Sequence, residues 1–378
     1  MPKNPDAVIV GAGPAGLACA ATMRVAGLNV TVLEKGASVG TSWRQHYDRL
    51  HLHTDRKHSS LPGMAMPRSF PLYPSRAQVV GYLESYAAHF DIRPVFNTTV
   101  SCVRRDGAQW RADTAQGPVS APAMVVATGI ADAPYRPAWP GLETWPGSVI
   151  HSSQYRNPAP YAAKRVLVVG FGNSGGEIAL DLANAGIDVA LAVRGPVRVL
   201  PRDLLGFPIV SWAILYSRLP ARLVDAINAP ILRLAVGSVE SLGMRRAAKG
   251  PLQMIEEDGR VPLIDIGTLA RIRDGSIRVY GGIDRFTPDG IVFADGASEK
   301  FDAVILATGF RPDLRRLLPD MDHVFNAEGM PLKTGEASAP GLYFCGQTLT
   351  PTGQLREAGL EAQRIADAVR KDVARASG

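Results

Sequence analysis

Cysteine is scarce: there are three in 378 residues, Cys19, Cys102 and Cys345, widely spaced and without a Cys-x-x-Cys pair. That excludes a disulfide framework and a dithiol redox motif, and it points to a reducing compartment. Charge is thin at 20% Asp, Glu, Lys and Arg, with mixed signs and a net +6. The like-charge blocks of a nucleic-acid arm are missing, so no nucleic-acid partner is expected. No window holds the ~18–20 uninterrupted apolar residues that span a bilayer. The most apolar stretch, 207–237, is broken by Arg218, Arg222, Asp225 and Arg233. Two packed helices are the expectation for it, with a membrane-surface or partner-binding patch as the competing reading. The polar first residues lack the basic and apolar regions of an export signal, so the expected location is cytoplasmic. Glycine (38) and proline (29) are abundant. With 46% apolar residues at this length, they describe a loop-rich protein of two or three domains.

The apolar run Ala7-Val8-Ile9-Val10 ends in Gly11-Ala12-Gly13-Pro14-Ala15-Gly16 and continues into a helical pattern. Strand, glycine turn and helix in this order let the backbone approach a pyrophosphate at the positive end of a helix dipole. A second strand, Val30 to Leu33, ends in Glu34, 23 residues after Gly11, where a carboxylate would bond ribose hydroxyls. The pattern recurs. Residues 165–169 lead into Gly170-Phe171-Gly172-Asn173-Ser174-Gly175, a helix, and a strand that ends near Arg194, 24 residues after Gly170. A carboxylate repels a ribose 2′-phosphate and a guanidinium binds it, so the first turn suits the ADP part of FAD or NAD and the second suits NADPH.

Two further apolar runs share one ending, Ala127-Thr128-Gly129 and Ala307-Thr308-Gly309. Their small residues let the chain pass close to a nucleotide site. Four of the seven histidines, His46, His51, His53 and His58, lie within thirteen residues, but the spacing fits no known metal motif and no metal is expected.

The segment Trp145 to Tyr155, with His151 inside it, resembles the FxGxxxHxxx(Y/W) signature of the flavin-containing monooxygenases, with Trp in the Phe position. Tyr155-Arg156 leans toward the N- or S-oxygenating branch and away from the Baeyer–Villiger branch. The chain is more closely similar to the plant YUCCA monooxygenases, and the similarity runs over nearly its whole length. It is carried by Tyr47-Asp48-Arg49-Leu50-His51-Leu52-His53, Phe70-Pro71-Leu72-Tyr73-Pro74-Ser75, Tyr82-Leu83-Glu84-Ser85-Tyr86-Ala87, Val199-Leu200-Pro201-Arg202 and Ile264-Asp265-Ile266-Gly267-Thr268-Leu269-Ala270.

The resemblance implies a class of α/β fold with two Rossmann-like dinucleotide-binding domains, the NADPH domain (159–285) inserted into a discontinuous FAD domain (1–158 and 286–378). It implies FAD contacts at Gly11, Gly13, Pro14, Ala15, Gly16, Glu34, Lys35, Trp43, Arg44, Val100, Ala127, Thr128, Gly129 and Gly346. It implies NADPH contacts at Gly170, Gly172, Asn173, Ser174, Gly175, Arg194, Ala307, Thr308 and Gly309. Arg44 is a pyrophosphate contact or a surface salt bridge, His151 an NADPH-proximal group or a structural hydrogen bond, and Cys345 a packing residue. The active site is expected between the domains, outside the carboxyl ends of the strands.

The implied chemistry is hydride transfer from NADPH to flavin, oxygen addition to give a flavin peroxide, and oxygen insertion into a small organic substrate. Decarboxylation of indole-3-pyruvate to indole-3-acetate is the leading substrate reading, with S- or N-oxygenation or Baeyer–Villiger oxidation as rivals. A disulfide reductase of the same architecture is disfavoured by the missing Cys-x-x-Cys. An FAD- and NADP-binding sensor, or an NADPH oxidase, is the reading from a different class. A homodimer is compatible with the sequence.

Overall fold

The computed structural model describes residues 4–131 and 133–376. The chain divides into two compact units: Met1–Arg44, Thr54–Ala133 and Phe310–Gly378 form the first, and Gln45–His53 with Pro134–Gly309 the second.

In the first unit, Ala7–Val10 is buried at every position, as a parallel strand covered on both faces must be. It pairs in parallel with Val30–Leu33 on one side and Ala123–Val126 on the other. Leu342–Phe344 and an antiparallel edge, Ala337–Ala339, complete a five-stranded sheet. The helix Pro14–Val25 presents small residues, Gly16, Ala18 and Cys19 among them, to its surroundings. That allows close packing by the C-terminal helix Gln354–Ala376. Leu355, Ala358, Ala362, Ile365 and Val369 of that helix are buried at spacings of three and four, a single core-facing stripe. The helix Arg76–His89 starts at a capping box in which Ser75 and Gln78 each accept the other's backbone N–H.

The second unit repeats the plan with a five-stranded parallel sheet in the order Ile277–Tyr280, Asp188–Ala192, Arg165–Val169, Ala303–Leu306, Ser148–His151. The glycine-rich helix here is Asn173–Asn184. The two edge-side strands fall outside the expected 159–285. Ser148–His151 pairs residue for residue with Ala303–Leu306, so the compact unit runs from 134 to 309. The stretch 207–237 does form two helices, Ile209–Leu215 and Ala221–Val236, but Leu215, Leu223, Ile227 and Leu234 are exposed. Among the described residues no helix is long and apolar enough to cross a membrane.

Candidate functional site

The two glycine turns are built alike. Gly11 and Gly170 take φ values of +109° and +112°, conformations that L side chains avoid. Gly11 N–H donates to the Leu33 carbonyl at 2.8 Å and Gly170 N–H to that of Ala192 at 3.0 Å, which ties each turn to the next strand. A Cβ on Gly11 would lie 2.6 Å from the Ala127 carbonyl oxygen, and one on Gly170 would lie 2.4 Å from that of Ala307. The paired Ala-Thr-Gly strand ends therefore matter because their backbone presses on the first glycine. The third glycine is equally confined: a Cβ would come within 1.9 Å of the Gly11 oxygen at Gly16 and 2.1 Å of the Gly170 oxygen at Gly175.

The middle glycines are different. A Cβ on Gly13 or Gly172 would meet nothing within 4 Å, so packing does not demand glycine there. Both are N-caps of twelve-residue helices and neither supplies a capping side chain. Open space in front of uncapped first-turn N–H groups is what an approaching phosphate requires, and in this respect the residues present fit a dinucleotide at each turn.

Glu34 is buried, its Oε2 accepting the Ala12 N–H at 2.7 Å and its Oε1 the Gly36 N–H at 2.8 Å. The carboxylate is fixed beside the first turn with lone pairs left for a ribose. Arg194 is exposed at the corresponding place in the second unit, its stem against Gly282. Asn173 Oδ1 accepts the Ile264 N–H at 2.8 Å, and Pro14, Ala15 and Ser174 occupy the first helical turns. All the expected FAD residues fall in the first unit and all the expected NADPH residues in the second.

Several residues sit differently from a simple contact set. The Arg44 guanidinium donates to the Val39 carbonyl at 3.1 Å and pairs with Glu84, so in this structure it is a salt bridge. Its turn still lies on the glycine loop, because Gly40 N–H donates to the Ala12 carbonyl at 3.0 Å. Trp43 is half-buried in the short helix Thr41–Arg44, and Lys35 is exposed. Val100 begins the strand Val100–Asp106 and packs on the core around Val8 and Leu33. Gly346, at φ +79°, faces Ala15, and its N–H donates to Glu361 at 2.6 Å. Next to it, Gln347 Nε2 donates to the Val126 carbonyl while its buried Oε1 has no protein partner.

His151 is fully buried. Its Nδ1 accepts the Ser153 N–H at 3.1 Å, so Nε2 carries the proton and donates to the Gly309 carbonyl at 3.0 Å. Burial pushes its pKa down, and nearby Arg136 adds to this against the opposing Gly309 bond. The imidazole is thus neutral and holds the Thr308-Gly309 turn, whose Thr308 hydroxyl donates to Tyr135. Cys345 is buried beside Cys19, which with its burial raises its pKa well above the usual thiol range.

Within the second unit lies a polar cluster that motif reading did not reveal. Glu177, on the second glycine-turn helix, is 2% exposed and meets His53 Nε2 at 2.5 Å. One turn on, Asp181 accepts the Tyr155 hydroxyl at 2.8 Å. Burial raises the pKa of Tyr155 and of Asp181, and Arg49 opposes both shifts. Tyr47 is raised by burial and then by Glu177. The remaining clustered histidines diverge: His51 faces the Arg49 carbonyl and His58 pairs with Asp55. The one sequence signal for this cluster was an acid, Glu177, inside an otherwise apolar helix face.

Comparison with known proteins follows the same lines. A profile of the pyridine nucleotide-disulphide oxidoreductase family matches residues 8–202. The chain is 40% identical to indole-3-pyruvate monooxygenase YUCCA1 of Oryza sativa subsp. japonica over 91% of its own length and 87% of that protein. It is 38% identical to indole-3-pyruvate monooxygenase YUCCA6 of Arabidopsis thaliana, covering 96% and 90%. Among solved structures it is similar to the flavin-containing monooxygenase of Stenotrophomonas maltophilia, at a TM-score of 0.73 and 26% identity over 99% of this chain and all of the other. Two Rossmann-type dinucleotide-binding units are the architecture that these flavin monooxygenases share. The chain belongs to the YUCCA family of monooxygenases and is an FAD- and NADPH-dependent oxidoreductase.

Proposed function

We propose that this chain decarboxylates an aryl 2-keto acid oxidatively, with indole-3-pyruvate giving indole-3-acetate. The observation that carries the reading is 40% identity to an indole-3-pyruvate monooxygenase over nine-tenths of the chain. The balanced reaction takes one keto acid, one O2, one NADPH and one proton to the shortened acid, CO2, NADP+ and water. When bound, the flavin supplies the oxygen activation and NADPH the two electrons.

In this reading the first unit is the FAD domain. The first-turn N–H groups behind Gly13 receive the pyrophosphate, Glu34 orients the ribose, and Lys35, Trp43, Val100, Thr128, Gly129 and Gly346 line the remainder. The second unit is the NADPH domain, with Gly172, Asn173 and Ser174 at the pyrophosphate and Arg194 at the 2′-phosphate. His151 is a positioning residue: its Nε2–H fixes the Gly309 carbonyl, and its neutral state keeps Nδ1 an acceptor for the Ser153 N–H.

Oxygenation of sulfides or amines is the second reading, favoured by Tyr155-Arg156 after the His151 signature. NADPH consumption and product analysis across aryl keto acids, sulfides and amines separates the two. Indole-3-acetate formed in step with NADPH is expected, and sulfoxide or N-oxide formation with no acid would overturn the keto-acid reading.

A further inference from the structure

The segment 205–236 turns an apolar side outward. In the helix Ala221–Val236, Leu223, Ile227 and Leu234 are 50%, 58% and 87% exposed. With exposed Pro230 they recur at i, i+4, i+7 and i+11, one stripe along a helix. Val224 and Val236, on the other side, are buried. Phe207, Leu215 and Leu219 extend the exposed apolar surface ahead of this helix. An exposed apolar stripe along one helix marks an interaction site, unlike apolar residues scattered singly.

Two features identify what covers it. Between residues 205 and 236 the exposed charged side chains are Arg218, Arg222 and Arg233. The one carboxylate there, Asp225, is buried and accepts the N–H groups of Leu252 and Gln253. Arg222 pairs with Glu257 at 3.3 Å, so Arg218 and Arg233 carry the attraction outward. The second feature is aromatic: Phe207, Trp212 and Tyr216 run edge-to-face and then stacked, with centroids 6.2 and 6.1 Å apart. Trp212 keeps its polar end satisfied by donating to the Leu204 carbonyl. Amphipathic rings beside an apolar stripe flanked by guanidiniums suit the headgroup level of a bilayer. A twofold contact of the face with a second copy would instead bring guanidiniums together with no exposed carboxylate of the segment to meet them.

We propose that the 205–236 face seats on an anionic lipid surface, its helix Ala221–Val236 lying in the plane of the interface. The FAD-loaded protein, sedimented with vesicles of phosphatidylcholine alone or mixed with phosphatidylglycerol, tests this. Binding to the mixed vesicles is expected, weakened by salt and by about fivefold for each of Arg218→Gln and Arg233→Gln. The pair Ile227→Glu and Leu234→Glu is expected to abolish it while flavin content and circular dichroism stay unchanged, because both side chains already face water. Three results overturn the proposal. They are no binding to the mixed vesicles, binding indifferent to all four substitutions, and a concentration-dependent dimer that the two Glu substitutions dissociate in a protein that ignores vesicles.

Discussion

Arg194 and Glu34 stand at equivalent places after two turns of the same build, and in the proposed function the difference in their charge assigns NADPH to one turn and FAD to the other. A charged hydrogen-bonded contact is worth about 1.5–3 kcal/mol, or about 10- to 150-fold in a binding constant. Arg194→Glu is therefore expected to raise the KM for NADPH by about that factor and to leave the KM for NADH nearly unchanged. Steady-state kinetics with both nucleotides checks it, and equal losses would remove the 2′-phosphate from this residue. These two side chains were legible because a fixed offset along strand, turn, helix and strand places them. The pairing of His53 with Glu177 was not, because the partners are 124 residues apart in sequence and no local pattern records a contact made only by the folded chain. Arg44 was half legible: its turn adjoins the glycine loop, but sequence could not show that Glu84 takes its guanidinium.

At the scale of the element, each glycine turn separates what folding needs from what binding needs. Gly16 is confined by the Gly11 backbone, whereas Gly13 faces open space. Gly16→Ala is thus expected to destabilise the flavin-free protein by more than about 3 kcal/mol, since backbone has to move. Gly13→Ala, at φ −79°, is expected to leave that stability unchanged yet purify without FAD, because its methyl occupies the space before the helix N-terminus. Denaturation of the flavin-free proteins, together with their absorbance after FAD addition, checks both outcomes. The strands and helices around these turns follow from continuous apolar runs broken by glycine. The unit boundary did not, because the membership of Ser148–His151 and Ala303–Leu306 in the second sheet is fixed by their mutual register. The outward apolar face of Ala221–Val236 was hidden for a related reason: periodicity reveals a stripe but not the side on which the rest of the protein lies.

Across the whole molecule, two Rossmann-type units carry one dinucleotide set each, and the second is an insertion in the chain of the first apart from the segment Gln45–His53. That segment is drawn into the second unit by partners on the glycine-turn helix, His53 to Glu177 and Tyr47 beside it. The ring nitrogens of His151 are both engaged, so this side chain is not poised as a general acid or base. This accords with an enzyme whose cofactors carry the redox step while the protein binds, orients and excludes water. The most direct measurement is turnover of indole-3-pyruvate with NADPH under 18O2 in the presence of catalase, with mass analysis of the acid formed. The account expects one labelled oxygen atom in each indole-3-acetate and one NADPH consumed per product. Unlabelled acid, or acid formation that catalase abolishes, would contradict it, because the oxygen would then not be delivered by the enzyme itself.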